Sequence, residues 1–528
     1  MRSVAITAAA DFNQIIQQNR RRCSNLRARQ SRVRLIGSVE GMRMKQFARL
    51  AMATTLLLAL AGAAGAQSQW TPLNNQPGQA VGPMLQLRDG RILVHEDQGP
   101  DTGQWFILTP DATGSYVNGT WSNGGHLQAG YAPIYFGSQV LLNGKQVVIE
   151  GGEYNNGTAA WTNLGALGTI VPWGGITWVA NSPPSGWNNI GDAESIVLAN
   201  GKYMQSNCCT PQNAIFQGPN SWLATGSVKQ SSNDESGFTL LPNGKILTVD
   251  TKISSPCSAN GSELYDQNTG VWTCAASTPV QLYNASDEEL GAAVLMYNGK
   301  VLQFGGVPSA TAIYDPVANT WAAGPTPTGY NQADGPAALE PNGKVLAMLS
   351  PGLFLGNCKF VEYDPTSSTL SNAPNPANCP GDSSFVGHLM ILPNSQIMFT
   401  DFSGFVEVYT PASGIVAAAK PTILAASTNL TIGSTNNLLY GSQLNGLSQN
   451  NAYGDDYQGE TDYPLVRLTA ANGKVYYAFT HDDSTHSIAP HTVMYTYFDL
   501  PSTIPAGTYQ LQSVANGIGS NSVVVSVH

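Results

Sequence analysis

One short pattern recurs seven times and limits what the chain can fold into: a hydrophobic strand, a tight Asn-Gly turn and a second hydrophobic strand. Its clearest copy runs from Gly237 to Asp250 around Asn243-Gly244. An Asn-Gly pair supplies the two positive-φ residues of a type I′ turn, so each copy predicts a β-hairpin. The other turns lie at Asp89-Gly90, Asn143-Gly144, Asn200-Gly201, Asn298-Gly299, Asn342-Gly343 and Asn394-Ser395.

A second signature follows most of these hairpins, an aromatic-acidic turn and then a Trp, as in Tyr265-Asp266 with Trp272. Two hairpins in each period of about 51 residues make the four strands of one blade. With the Gly-Gly pairs at 151–152 and 305–306, residues 67–418 resemble a seven-bladed kelch-type β-propeller. The chain as a whole resembles the secreted bacterial relatives of galactose oxidase. The segment Gln69 to Leu73 is expected to complete the seventh blade, since an open sheet edge invites aggregation.

The repeat ends near Ala419, and residues 419–528 carry a new series of seven short strands, from Thr422–Ala425 to Val523–Val527. Seven strands in about 110 residues, joined by tight turns, predict an immunoglobulin-like β-sandwich. Proteins that resemble galactose oxidase carry such a domain at their C-terminus. We therefore expect an all-β protein with a propeller and a sandwich.

The first 66 residues are predicted to be a leader. Residues 42–66 have a basic start, an apolar run and the small residues Ala64 and Ala66, so they predict a signal peptide cleaved after Ala66. The apolar run is too short for a comfortable membrane span, so we expect release to the periplasm or the exterior and no membrane insertion. Residues 1–41 are interpreted as a misassigned start, with a functional basic arm as the alternative.

The remaining chain is strongly acidic. Residues 1–66 hold eleven of the 24 basic residues and two of the 34 acidic ones, which leaves 13 basic against 32 acidic residues, a net charge of −19. Such a surface argues against nucleic acid as a partner. We expect a monomer.

The six cysteines beyond the leader suggest disulfide bonds. Cys257 with Cys274 and Cys358 with Cys379 each fall within one blade, so both pairs are expected to be bridged. Cys208 and Cys209 are adjacent, and their Cα atoms lie about 3.8 Å apart, below the usual disulfide range. We expect a strained bridge between them, with a metal-thiolate site as the alternative.

The resemblance to galactose oxidase implies a copper site of one tyrosine, a cross-linked Cys-Tyr pair, a Tyr-His dipeptide and a further histidine. Tyr135 stands where the cross-linked tyrosine would stand, but Val81 occupies the position of its cysteine. Phe385-Val386 replaces the Tyr-His dipeptide, and His388 is interpreted as a packed residue. His481 resembles the last copper ligand. Because a redox metal needs the whole set of imidazole and phenolate donors, we do not expect copper.

Acidic residues recur at one position of the repeat, about eight residues before the hairpin turn. Asp192, Glu235 and Asp334 occupy this position, with Asp234 and Glu289 one residue earlier. Equivalent positions in a propeller converge on one axis, so Asp192, Glu235, Glu289 and Asp334 are predicted to bind a divalent cation, calcium first, or a cationic ligand. Asp234 and Tyr135 are added as ligand-binding residues. The alternative is that these acids only cap turns.

Two functions follow from this pattern. The first is a secreted, non-catalytic propeller that binds a carbohydrate or cell-surface ligand through its pore-side loops. Tryptophans in the Gly-rich insertions at 171–178 and 185–187 are expected to offer a stacking surface for sugar rings. The second is an oxidase of alcohols or aldehydes with a remodelled copper site. The missing copper ligands favour the first.

Overall fold

The computed structural model describes residues 67–97, 103–250, 257, 260–284, 286, 288–457 and 459–528. The predicted leader, 1–41 and 42–66, lies outside the described residues, as does the cleavage after Ala66. The described chain from 67 onward belongs to one compact unit. Its regular structure is β-strand, with two short 3-10 turns at Ser384–Val386 and Ala417–Ala419 and no α-helix in the described residues. None of these helical turns is long or apolar enough to cross a membrane.

The strands of the first half alternate with tight turns. In chain order they are β1 (Gln69–Pro72), β2 (Val81–Gln86), β3 (Ile92–Glu96), β4 (Gln104–Thr109), β5 (Thr120–His126), β6 (Pro133–Ile134), β7 (Gly137–Val140), β8 (Gln146–Glu150), β9 (Tyr154–Asn155), β10 (Thr158–Ala159), β11 (Gly165–Ile170), β12 (Ile176–Asn181), β13 (Ser195–Val197), β14 (Tyr203–Ser206), β15 (Asn213–Gly218), β16 (Ser221–Ala224), β17 (Thr239–Leu240), β18 (Lys245–Val249), β19 (Ser262–Asp266) and β20 (Val271–Cys274).

The strands of the second half continue in the same way to the C-terminus. They are β21 (Leu290–Leu295), β22 (Val301–Gly305), β23 (Thr311–Asp315), β24 (Thr320–Ala323), β25 (Ala337–Leu339), β26 (Val345–Leu349), β27 (Lys359–Asp364), β28 (Thr369–Asn372), β29 (His388–Ile391), β30 (Ile397–Thr400), β31 (Glu407–Thr410), β32 (Thr422–Ala426), β33 (Asn429–Leu430), β34 (Asn437–Ser442), β35 (Asn451–Ala452), β36 (Leu465–Ala470), β37 (Val475–His481), β38 (Val493–Asp499), β39 (Gly507–Ala515), β40 (Ile518–Gly519) and β41 (Val523–Val527).

Seven antiparallel sheets each contain four strands of the repeat. In most of these sheets the four strands are consecutive in the chain. Sheet 1 is β2–β5, sheet 2 is β7, β8, β11 and β12, sheet 3 is β13–β16, sheet 4 is β17–β20, sheet 5 is β21–β24, sheet 6 is β25–β28, and sheet 7 is β29–β31 with β1. The short strands β6, β9 and β10 form a separate sheet beside sheet 2. The architecture is all-β and consistent with a β-propeller.

Hydrophobic clusters join each sheet to the next. Separate clusters join sheet 1 to sheet 2, sheet 2 to sheet 3, sheets 3 to 5 with one another, sheet 5 to sheet 6, and sheet 6 to sheet 7. The cluster that contains Met84 and Met390 joins sheet 7 back to sheet 1. The apolar cores therefore lie between neighbouring sheets, and the succession of sheets closes on itself.

The predicted closure of the last sheet is present. Strand β1 pairs antiparallel with β31, with Gln69 opposite Thr410 and Pro72 opposite Glu407. The Trp70 ring packs against Phe360 and Tyr409, at centroid distances of 5.2 and 5.0 Å. Sheet 7 thereby obtains its fourth, outermost strand from the beginning of the described chain.

The hairpin turns differ from the predicted type I′ geometry. Gly90 has φ +76°, but Asp89 is not left-handed, and the Gly90 N–H donates to Leu87 O over 3.0 Å. This is a type I turn followed by a left-handed residue, the usual three-residue hairpin loop. The Asn or Asp side chain accepts a hydrogen bond from the amide two residues later, as Asn143 Oδ1 does from Lys145 over 2.9 Å. That side-chain bond explains why Asn or Asp precedes the glycine.

Both disulfides predicted within single blades are present, Cys257–Cys274 and Cys358–Cys379, with Cα separations of 5.2 and 5.0 Å. Disulfides are typical of proteins in oxidising compartments. The predicted Cys208–Cys209 bridge is absent: Cys208 is a buried free thiol and Cys209 an exposed one. The short Cα separation of adjacent residues opposes a bond between them.

Removing the Cys358–Cys379 bridge is expected to destabilise the fold. Replacing both cysteines with alanine should lower the free energy of unfolding by about 3 kcal/mol. The disulfide joins residues 21 positions apart, and without it the unfolded chain gains conformational entropy. Equilibrium unfolding in denaturant measures the change. The matched control is Cys208→Ala with Cys209→Ala, which removes two thiols but no bridge. Equal stability of the native protein and the Cys358/Cys379 variant would contradict the expectation.

The region after residue 419 forms a second β-layer. Its strands follow the order β32, β34, β38, β37, β36, β39, β41, β33, with β40 paired to β39. The seven strands predicted there correspond to β32, β34, β36, β37, β38, β39 and β41. This region packs on the hairpin turns of several sheets: Tyr477 lies against Gly90, and the Ser395 hydroxyl donates to Gly517 O over 2.6 Å.

Candidate functional site

A long segment with little regular structure, residues 443–463, carries the centre of the candidate site. We call it the channel segment. Every described residue in it is buried. It bonds to the first strands of five sheets through the pairs Tyr457–Met84, Tyr463–Gln86, Gln449–Leu240, Ser448–Leu295, Asn450–Leu339 and Asn451–Ile391. Strand β35, within this segment, also pairs with β25. The first strands of the sheets therefore surround the channel segment.

The predicted acidic residues lie together at one end of these first strands. The hairpin turns lie at the opposite end. Asp192, Glu235, Glu289 and Asp334 stand in the loops that lead into β13, β17, β21 and β25. Carboxylate oxygens of Glu235, Glu289 and Asp334 lie within 4.8 Å of one another, and so do those of Asp192, Glu235 and Asp455. Glu235 belongs to both groups. We call Asp192, Glu235, Glu289, Asp334, Asp455 and Asp456 the acidic pocket.

The loops that carry these acids share an uncommon backbone conformation. Tyr135, Glu235, Glu288 and Asp334 all have positive φ, of 55°, 52°, 59° and 46°. A left-handed non-glycine residue costs about 1–3 kcal/mol and persists only where its surroundings enforce it. The same conformation thus recurs in the loops before the first strands of sheets 2, 4, 5 and 6, and it sets the direction of the side chains at the channel mouth.

Gly454 lets the channel segment reach the acidic loops. A Cβ atom on Gly454 would lie 2.5 Å from Asp334 Oδ1 and 3.0 Å from Asp334 Cα, and the carbonyl oxygen of Gly454 lies close to Gly237. A larger residue at this position would displace either the channel segment or the loop that it contacts. The next two residues, Asp455 and Asp456, are 4% and 1% exposed. The close approach at Gly454 therefore delivers two buried carboxyl groups to the pocket.

Burial and mutual repulsion make the pocket carboxyls hard to ionise. Burial raises the pKa of Asp192 to about 6 and that of Asp334 to about 7. For Glu235, Glu289, Asp455 and Asp456, burial first and neighbouring carboxylates second raise the pKa well above its usual value. Oxygens of Glu289, Asp334 and Asp456 also lack hydrogen-bond partners. The pocket favours protons or a cation over free carboxylates.

Sequence reasoning missed three acids near the pocket, Asp455, Asp456 and Glu153. Burial and the Asp192 and Asp334 carboxylates raise the pKa of Glu153 to about 8. Counting back from the hairpin turns cannot find Glu153, because it follows a second strand, β8. A signal for the other two was present: no strand was predicted between Tyr440 and Leu465, and a connection that long inside a compact domain is usually functional.

Among the described residues, those that resemble copper ligands do not form a metal-binding cluster. Val81 is a buried strand residue paired with Glu96. His388 stacks on Tyr453 at 5.2 Å, and burial lowers the pKa of His388 to about 3, as expected for a packed neutral histidine. Within the described residues, no cluster of His, Cys, Asp and Glu that could share an ion contains His388 or His481. Tyr135 lies beside Tyr154 and Phe402.

Asp234 lies with the two free cysteines and not in either carboxylate group of the pocket. Its carboxylate and the sulfurs of Cys208 and Cys209 lie within 4.8 Å of one another. A hydrogen bond with Cys209, burial and the nearby acids raise the pKa of the Cys208 thiol. Cys208 in turn hydrogen-bonds Asp192 and stabilises its carboxylate. The cysteine pair is therefore a direct neighbour of the acidic pocket.

The tryptophans of the Gly-rich insertions differ in exposure, so the stacking surface for sugar rings stays a prediction. Trp178 is half-buried and stacks on Trp105 at 5.6 Å, and Trp187 is buried. Trp173 is exposed at 38%, and its indole N–H donates to Tyr477 O over 3.0 Å. Such rings stabilise contacts between sheets and with the C-terminal region.

The comparisons with known proteins support the fold alone. No family model matches the chain, and a comparison with curated proteins finds no match. A fungal alcohol oxidase of the AA5 family, solved in complex with copper, has a TM-score of 0.51 at 14% identity, over 88% of this chain and 100% of that chain. A streptogramin B lyase has a TM-score of 0.46 at 10% identity, over 66% of this chain and 99% of that chain.

A third structure is the extracellular domain of a hybrid two-component system from B. thetaiotaomicron. Its TM-score is 0.43 at 10% identity, over 88% of this chain and 59% of that chain. Neither this similarity nor that to the lyase is close enough to carry an argument. The similarity to the oxidase supports a galactose-oxidase-like β-propeller fold. At 14% identity it says nothing about chemistry.

Proposed function

We propose that this protein is a secreted, non-catalytic, seven-bladed kelch-type propeller with an immunoglobulin-like domain at 419–528. Its acidic pocket binds a divalent cation, calcium first, and presents that cation to a carbohydrate or cell-surface ligand. The propeller spans 67–418, and the protein acts as a monomer after cleavage at Ala66. The observation that carries the proposal is the convergence of six carboxyl groups from four sheets and the channel segment.

The charge of the pocket supports a cation. Two carboxylates about 5 Å apart repel by roughly 3 kcal/mol at an effective dielectric of about 20. The groups Glu235–Glu289–Asp334 and Asp192–Glu235–Asp455 both have this spacing. A divalent ion converts the repulsion into attraction, whereas protons relieve it only while the carboxyls stay neutral.

The donor set supports calcium over magnesium. All pocket donors are oxygen atoms, and they come from separate loops. Calcium accepts about six to eight oxygens in flexible geometry, whereas magnesium requires a near-ideal octahedron. Asp192, Glu235, Glu289 and Asp334 are half-buried residues. A calcium ion there could take one or two hydroxyl groups of a sugar in place of water.

The alternative, an oxidase with a remodelled copper site, receives less support. Copper would need imidazole and phenolate donors at fixed geometry, and the pocket supplies carboxylates. Tyr135 lacks a cysteine partner, since Val81 occupies that position. The similarity to the copper-bound oxidase concerns the fold.

Thermal unfolding with and without calcium tests the proposal. The full secreted chain, freed of metal with a chelator, should unfold at a higher temperature when calcium is added, because the ion binds only the folded state. Glu235→Gln with Asp334→Asn should abolish the rise. The matched control is Asp266→Asn with Asp364→Asn, two turn acids outside the pocket, which should keep it. Equal unfolding temperatures of the native protein in calcium and in chelator would refute the cation site.

The ligand is tested separately on a panel of immobilised polysaccharides. We expect retention in calcium, loss of retention in chelator, and loss in the Glu235→Gln/Asp334→Asn variant. Retention that is the same in calcium, in chelator and in the variant would show that carbohydrate binds outside the acidic pocket.

A further inference from the structure

A second ion-binding arrangement lies at a different place on the channel segment. Glu460 and Asp462 project from this segment, and His486 comes from the loop between β37 and β38. Their side chains are 4%, 0% and 1% exposed, and one donor atom of each lies within 4.8 Å of the others. We call these three residues the buried triad. It shares no residue with the acidic pocket.

The backbone around the buried triad is firmly held. The His486 N–H donates to Ala199 O over 3.1 Å, and the Thr485 hydroxyl donates to the same oxygen over 3.1 Å. Gln449 donates to Glu460 Oε1 and accepts from the Leu240 amide. The triad thus lies where the C-terminal region, the channel segment and the turns of sheets 3 and 4 meet. Its donor atoms come from elements that are fixed before any ligand binds.

The donor atoms of the triad face one another. His486 Nε2 lies 3.1 Å from Asp462 Oδ2 and 3.9 Å from Glu460 Oε2, an ion pair when the ring is protonated. Nδ1 of His486 and Oδ1 of Asp462 are buried and have no hydrogen-bond partner. Buried polar atoms without a partner are costly, so these two atoms are available to a ligand.

The buried triad holds three ionisable side chains. When both carboxyls are ionised and the imidazole is protonated, the site carries one net negative charge, which is costly in a fully buried site unless it is compensated. The buried Arg88 guanidinium does not compensate this charge, because it pairs with Asp483 and lies over the Tyr463 ring at 4.0 Å. A divalent cation with a neutral imidazole and two carboxylates makes the site neutral.

We propose that the buried triad binds a first-row divalent metal ion, with zinc as the first candidate. One imidazole nitrogen and two carboxylate oxygens are ordinary zinc ligands at about 2.0–2.2 Å, and the 4.8 Å span of the donors brings all three near one ion. The imidazole separates this site from the all-oxygen acidic pocket, which suits calcium. The ion fixes the channel segment to the C-terminal region.

The competing arrangement is an ion pair without metal. Although burial lowers it, the Asp462 and Glu460 carboxylates raise the pKa of His486 to about 10, so the ring would stay protonated at neutral pH. In that case added zinc would not stabilise the protein. The two arrangements therefore differ in a measurable way.

The experiment uses the full secreted chain, freed of metal with a chelator and then dialysed. We expect elemental analysis after zinc addition to find roughly one tightly held zinc ion per chain, and a higher unfolding temperature. Cobalt in place of zinc should give visible absorption bands from a bound ion with nitrogen and oxygen ligands. Adding calcium should leave the cobalt absorption bands unchanged.

Three variants decide the assignment. Asp462→Asn preserves the shape of the side chain and should remove the zinc and the cobalt bands, and His486→Gln should do the same. His491→Gln, which changes an exposed histidine five residues later, should keep both. Native protein with no zinc-dependent change in unfolding temperature and no cobalt bands would overturn the proposal, even if both triad variants failed to fold. Full zinc retention in a folded Asp462→Asn protein would also overturn it.

Discussion

Replacing Asp483 with alanine is expected to lower the free energy of unfolding by about 3–5 kcal/mol, since it leaves a buried charge without its partner. Asp483 forms an ion pair with Arg88, and both side chains are fully buried. Arg88 belongs to the hairpin turn of sheet 1, while Asp483 follows β37. The Nε and Nη2 atoms of Arg88 have no hydrogen-bond partner, so Asp483 is the group that compensates the guanidinium. Equilibrium unfolding in denaturant measures the loss.

Two further variants identify the cause of that loss. Asp482→Asn removes the charge of a neighbouring side chain that is 55% exposed and keeps a group that can hydrogen-bond His481 Nδ1, so it should change stability by no more than about 1 kcal/mol. Arg88→Met combined with Asp483→Leu removes both charges and should recover most of the stability, because apolar side chains of similar size replace a buried ion pair well. An Asp483→Ala protein as stable as the native one would show that solvent or another group compensates Arg88.

The sequence predicts the local β-structure well because the signals are local. An Asn-Gly turn between two apolar runs needs no distant partner, so the seven hairpins and the strands of the C-terminal region are where we expected them. The turn type was wrong because an Asn-Gly pair also suits a type I turn with a left-handed glycine, in which the asparagine side chain caps the loop. The cysteine pairs 257–274 and 358–379 were predictable for the same reason, since each closes a short loop.

The candidate site was only half predictable. Asp192, Glu235 and Asp334 repeat at one position of a periodic sequence, and periodicity converts a sequence position into a spatial one. Asp455 and Asp456 belong to a segment outside the repeat, and only its burial against the first strands brings them to the pocket. No local pattern encodes that path. The same holds for Glu460, Asp462 and His486, which approach one another through the contact of the channel segment with the C-terminal region.

The metal-free protein is expected to lose stability as the pH rises from about 4 to about 8. The pKa values of Asp192, Asp334 and Glu153 are raised to about 6, 7 and 8 in the fold, from 3.8 for aspartate and 4.5 for glutamate. In this interval the folded state keeps protons that the unfolded state has released, so stability falls with rising pH. A pKa that is higher by one in the folded state corresponds to about 1.4 kcal/mol of stability that is lost across the titration. The unfolding temperature in chelator, measured across this range, tests it.

Calcium should offset this loss of stability if the pocket holds the ion. Calcium binds ionised carboxylates, so its affinity should increase with pH and its binding should release protons. At saturating calcium the unfolding temperature should therefore change little between about pH 5 and about pH 8, the range in which the pocket carboxyls titrate. Glu235→Gln with Asp334→Asn should make the profile in chelator less steep and remove the effect of calcium, while Asp266→Asn with Asp364→Asn should leave both unchanged. A native profile in chelator that is flat over this interval would mean that solvent already screens the pocket carboxyls, and the electrostatic basis for a cation at the channel mouth would be lost.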